Sequence, residues 1–146
     1  MRRFHFNLEK VLEFRKYRER ETEIELGRAI AALTIIQNGL KENAVNHHKA
    51  AEERFAQTDI RDIQYYDLYV QRLDIEKEKL LREAAQAAIV IEEKRAVYLE
   101  ASRDRKVLDK LKEKREKEYR KTMLAEETKE LDDIASLAVA RNRAGK

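Results

Sequence analysis

The chain has no cysteine, no proline and no tryptophan, and only three glycines, Gly27, Gly39 and Gly145, among 146 residues. Each absence narrows the possibilities. Without cysteine there are no disulfides and no thiolate metal sites, which suits a reducing compartment. Sheets need turns, and turns draw on glycine and proline. A chain this poor in both is expected to be built from long helices. The three glycines stand apart from one another, so no glycine-rich loop can cradle a phosphate. No apolar run approaches the eighteen or more residues of a membrane span. The basic start is interleaved with Glu9, Lys10 and Glu13, so it lacks the apolar centre of a signal peptide. These features lead us to expect a cytoplasmic protein.

What is abundant is charge. Asp, Glu, Lys and Arg make up 42% of the residues, yet the net charge is only +3. The charge is unevenly distributed. Residues 2–20 hold seven basic and three acidic side chains, and residues 103–121 hold ten basic and five acidic. Residues 21–102 hold eleven basic and sixteen acidic. If the chain doubles back near its middle, the two basic blocks come together.

The apolar repeat supports such a reversal. Leu26, Ala29, Leu33, Ile36 and Leu40 are spaced 3, 4, 3, 4, the seam of a coiled coil. Carried backwards, the seam runs through Thr22, Glu19, Arg15, Leu12 and Leu8, polar in its middle. A second series runs from Ile63 through Tyr66, Val70, Leu73 and Leu80 to Ala101, Arg105 and Leu108. Between the two, Asn43, His47 and Arg54 occupy positions the seam would want apolar, and Thr58 or Asp59 can cap a new helix. The expected fold is therefore all-α: one antiparallel two-helix coiled-coil hairpin over residues 1–146. Helix 1 is expected over about 5–56, the turn at about 56–59, and a longer helix 2 over about 60–140. Asn38-Gly39 is a possible irregularity within helix 1. Folding about residue 58 sets Leu8 near Leu108 and leaves helix 2 overhanging from about residue 110. In that overhang Leu124, Leu131, Ile134 and Ala138 form an apolar stripe with nothing to pack on.

Few residues suggest chemistry. A two-helix hairpin offers no enclosed pocket in which a pKa could be shifted for catalysis. We expect no catalytic residues, no cofactor and no metal. His48 and Glu52 share a helix face, but a metal site needs more ligands than that. Tyr65 and Tyr69 form an i,i+4 pair beside the seam residue Tyr66. Two readings stand side by side for them: shielding of the seam, or a docking patch with aromatic anchors. In the basic blocks Arg and Lys alternate in sequence with Glu and Asp, which reads as a solvated helix face rather than a nucleic-acid stripe.

Four segments together resemble one family. The opening FHFNLEKVLEFRKYRERE fits a pattern F-x-F-x-L-x-x-V-L-x-x-R, carried here by Phe4, Phe6, Leu8, Val11, Leu12 and Arg15. The segment QYYDLYVQRLDIEKEKL has an aromatic, Tyr69, followed four residues later by Leu73. The stretch RKVLDKLKEKREKEYR and the ending KELDDIASLAVAR complete the series. In this order they resemble the FliJ family of the bacterial flagellar type III export apparatus.

The resemblance implies a stalk-like protein, similar to the central stalk subunit of rotary ATPases. It would bind the hexameric export ATPase FliI, the export gate protein FlhA and export chaperones, with no nucleic acid among its partners. Its association with the inner face of the cell membrane would be indirect. By the same likeness Tyr69, Leu73 and Leu80 fall on the gate-contacting face. On helix 1 this chain has Leu40, Ala44 and His47 where the family pattern would place further contacts. The surface entering the ATPase ring is expected to include Arg2, Arg3, Phe4, Phe14, Arg15, Leu124, Leu131 and Ile134. On an unbroken helix Phe4, Val11 and Phe14 would form a flanking stripe, with only Leu8 and Leu12 facing helix 2. We read that stripe as ring anchors, with local packing as the alternative. Two other readings remain open: the equivalent stalk of a virulence secretion system, and a coiled coil that binds nucleic acid through its basic end.

Overall fold

In the computed structural model, which describes residues 3–145, two α-helices pack against each other as an antiparallel hairpin. Helix α1 spans Glu9–Ala56 and the longer α2 spans Ile60–Ala144. Among the described residues there is no strand. Reversal takes place over residues 57–59. Asp59 ends it as the cap of α2: its carboxylate accepts from the Arg61 amide at 3.1 Å, and its carbonyl accepts from the Ile63 amide at 3.1 Å.

The seam is more continuous than its residue types suggest. Positions 8, 12, 15, 19, 22, 26, 29, 33, 36, 40, 43, 47 and 50 of the first half are all buried or half-buried. The 3–4 alternation thus runs unbroken past Asn43 and His47, where a failure of register was expected. Asn43 is 3% exposed, and its amide donates to the Leu73 carbonyl at 2.9 Å. That bond satisfies a polar group that would otherwise be costly to bury. Arg54, by contrast, points outward to an ion pair with Asp67 at 2.6 Å. Asn38-Gly39 is ordinary helix. A Cβ at Gly39 would lie 3.6 Å from the Leu80 side chain, an ordinary contact.

The chain divides into two compact units. The first comprises Met1–Tyr17 with Ser102–Lys146, the second Arg18–Ala101. By sequence the first carries nineteen basic and twelve acidic residues, the second thirteen basic and seventeen acidic.

Cross-helix contacts share one register in both units. In the first, Glu9 pairs with Lys112 at 3.0 Å, and Arg15 donates to the Asp104 carbonyl at 2.8 Å. In the second, Glu25 pairs with Lys94 at 3.1 Å and His47 lies 3.5 Å from Asp74. In each of these pairs, and in Arg54–Asp67, the residue numbers add to between 119 and 121. Such exposed pairs contribute roughly 0–1 kcal/mol apiece. Their value lies in disfavouring a slipped alignment.

The first unit departs most from expectation. α1 starts at Glu9 rather than near residue 5, and residues 3–8 are not helical. The reason is packing. On a helix, Phe6 would point about 200° away from Leu8 and miss α2. Released from the helix, Phe6 is only 3% exposed and clusters with Leu12 and Leu108, while Phe4, Leu8 and Leu111 pack around them. Non-helical chain also advances further per residue than helix does. Phe4 thereby reaches Tyr119, ring centroids 5.6 Å apart, and Phe6 lies under the Arg115 guanidinium at 5.7 Å. Partnered α2 therefore extends well past residue 110. Every described residue from Leu124 onward is exposed. Phe4 and Phe14 do not form a helical stripe: Phe4 is half-buried ahead of the helix, and Phe14 is 62% exposed on it.

This packing makes a sharp distinction among the N-terminal aromatics. Leu12→Ala, at a side chain with no exposure, is expected to cost about 2–5 kcal/mol, and Phe6→Ala about 3–5 kcal/mol. Phe14→Ala is expected to stay within about 0.5 kcal/mol of the parent. Urea denaturation of the three variants measures these differences. Equal losses at Phe6 and Phe14 would show that the opening segment does not pack as described.

Candidate functional site

Two separate surfaces hold the residues singled out by sequence, one in each unit. In the first unit, Leu124, Leu131 and Ile134 are 67%, 67% and 62% exposed. Leu137 and Val139 extend the same apolar surface. Leu, Ile and Val at this density leave an uncovered apolar surface on a single helix segment, a feature that in other proteins accompanies partner binding. Phe14 adds a further exposed aromatic on α1, and Arg3 is exposed ahead of it. Arg15 is half-buried, with its guanidinium engaged by the Asp104 carbonyl, so much of its role is internal. Arg2 lies outside the described residues.

In the second unit, Leu40 and Leu80 are half-buried close to Gly39, and His47 is half-buried beside Asp74. Leu73 is 4% exposed and holds the Asn43 amide through its carbonyl. It is a core residue and presents no surface to a partner. Ala44 is exposed. Tyr69 is half-buried in a groove shared with Asn46, Lys49, Ala50, Glu53 and Tyr66. Tyr65 does not stack on Tyr69. Its ring meets Tyr66 edge-on, with centroids 5.5 Å apart.

The structure also exposes residues that the seam analysis passed over. Phe55 is 92% exposed and Ile60 is 70% exposed, on either side of the turn, with Leu68 at 66% nearby in sequence. The available signal was position: a phenylalanine directly before a helix reversal has no seam to enter. Among the described residues no three His, Asp or Glu side chains group as metal ligands, and His48 pairs with Glu52 at 3.0 Å. Among the described residues no helix is long and apolar enough to cross a membrane.

A family model described as the flagellar FliJ protein matches residues 4–144. The chain belongs to the FliJ family. No curated protein and no solved structure gives a significant match. FliJ membership assigns the chain to flagellar type III export in general. It also fits the geometry: the match takes in the whole hairpin, including the non-helical Phe4–Leu8 opening and the uncovered end of α2.

Two titrating groups report on the packing of the two units. The Glu9 carboxylate holds the Lys112 ammonium above its ordinary value of 10.5, against a smaller desolvation effect. Glu53 accepts from the Tyr66 phenol and raises it above 10.0, helped by burial and by the nearby negative charge. Both groups keep their proton more tightly when folded than when unfolded. Their stabilisation is therefore complete below the unfolded pKa and is lost as pH rises through the folded one. Thermal stability is expected to fall above pH about 10. Glu9→Gln and Tyr66→Phe should each make that alkaline fall shallower. A fall of unchanged steepness in both variants would contradict these assignments.

Proposed function

We infer that the chain is a stalk-like component of the flagellar export apparatus that binds the export ATPase ring through its first unit. What supports this most is the uncovered apolar surface of Leu124, Leu131 and Ile134 in a FliJ-family chain, on the unit that also carries Arg3 and Phe14. The described part of that unit contributes binding surface, not reactive groups. It would act by occupying the hexameric ring, promoting its assembly and turnover. Phe4 and Arg15 belong to the same unit, held against Tyr119 and the Asp104 carbonyl.

The second unit is the proposed contact for the export gate protein. Tyr69, Ala44 and His47 would provide accessible surface, with Leu40 and Leu80 half-covered beneath and Leu73 as their support. Coupling ring to gate, and assisting export chaperones, follow from holding both surfaces in one chain. In this reading the protein is cytoplasmic and sits peripherally at the inner face of the membrane.

Mixing the chain with its cognate export ATPase is expected to stimulate hydrolysis and to yield a complex that co-purifies. Leu131→Ala with Ile134→Ala should weaken that complex by at least about tenfold, since each side chain loses burial worth roughly 1.5–3 kcal/mol. Deleting residues 124–146 should abolish it. Tyr69→Ala should reduce capture by the gate protein while circular dichroism stays unchanged. Absence of both stimulation and co-purification at every ratio would sink the ring assignment.

A further inference from the structure

In linear order the basic residues of α2 alternate with acids, but wound into a helix they separate. Arg103, Lys106, Lys110, Lys114, Lys117 and Lys121 are spaced 3, 4, 4, 3 and 4. At 3.6 residues per turn they fall within an arc of about 80° and extend over roughly 27 Å. All six are exposed, and none enters an ion pair among the described residues. Glu113 and Glu118 border the arc without entering it. Asp104, Asp109 and Glu116 lie on the sides nearer α1, where Asp109 is engaged by Arg105 and Glu116 by Arg120. The face opposite the seam is thus a row of free cations with no acid among them.

We propose that this row seats the first unit on an anionic bilayer surface. Three observations favour a lipid surface over other polyanions. The row keeps to one arc of a single helix, so its six cations can meet a plane together, whereas the phosphates of a duplex wind around its axis. Five of the six are lysines, point charges suited to headgroup phosphates rather than forks that read base edges. No aromatic on this face offers the stacking that single strands require. The row also runs on into apolar surface. Lys114, Lys117 and Lys121 line one shallow groove with Glu118, Arg120 and Leu124, and Leu131 follows two turns later at the edge of the same side. Only Glu113 and Glu118 border this face before Asp132, against six cations, so its lysines and two leucines can enter the headgroup layer together. Leu124 and Leu131 also belong to the proposed ring surface, so one molecule makes either contact but not both at once, and vesicle binding measured without ATPase tests the bilayer contact alone.

The test is co-sedimentation of the full chain with vesicles of phosphatidylcholine and phosphatidylglycerol, against vesicles of phosphatidylcholine alone. Binding is expected only to the anionic vesicles and should weaken with added salt. Removing a cation near such a surface costs about 1 kcal/mol, close to fivefold in affinity. Lys110→Gln, Lys114→Gln and Lys117→Gln combined should therefore lower binding about a hundredfold. Lys41→Gln, Lys77→Gln and Lys79→Gln combined, three exposed lysines of the second unit, should leave it unchanged. Leu124→Ala with Leu131→Ala should lower vesicle binding several-fold without altering helicity. Failure to bind anionic vesicles overturns the proposal, as does equal loss in the two triple variants. Tighter retention by single-stranded or duplex DNA, lost in the first triple variant and indifferent to the leucine changes, would instead assign the row to nucleic acid.

Discussion

A two-helix hairpin can cover only one stripe of each helix, and every other property of this protein follows from that constraint. The seam must serve as the whole core. Among the described residues seven apolar side chains are buried, and only Leu12 is wholly so. With so little to bury, stability depends on long, regular repetition of modest contacts. That explains why the seam tolerates Asn43, Thr22 and Arg15. Each finds a backbone oxygen within reach: Asn43 at Leu73, Thr22 at Arg18 and Glu19, and Arg15 at Asp104.

The same constraint leaves most side chains free for partners. In a globular domain an exposed leucine is unremarkable. Here, what matters is where exposed apolar residues gather. They gather where α2 has no covering segment, from Leu124 to Val139, and beside the turn at Phe55 and Ile60. Where a cover is available, the chain uses it: residues 3–8 give up helix to lay Phe4 and Phe6 along α2. The aromatic opening is thus chiefly a clamp on the first unit. Phe14 alone among its phenylalanines stays in solvent on α1.

Charge is sorted by the same geometry. Acidic side chains of α2 near the seam meet cations, as with Asp67 beside Arg54 and Asp109 beside Arg105. Among the described residues, the lysines of the opposite face in the first unit enter no ion pair. The outcome is a first unit whose seam is electrically satisfied and whose outer surface carries an unopposed basic row.

Much of this was legible in the amino-acid sequence. Helicity followed from missing proline and scarce glycine, the antiparallel pairing from two 3–4 repeats around Asp59, and the family from the motifs at Phe4–Arg15 and Lys129–Arg141. These signals are local, set by backbone preference and side-chain period. Other features were decided only by tertiary structure. Asn43 looked like a break in the seam until the Leu73 carbonyl stood opposite it. Phe4 looked like part of a helical stripe until the covering of α2 proved worth more than another turn of helix. Leu73 looked like a contact residue until the seam closed over it. In each case the deciding partner lies tens of residues away in sequence, and whether a polar or apolar group is satisfied depends on that partner, not on its neighbours in the chain.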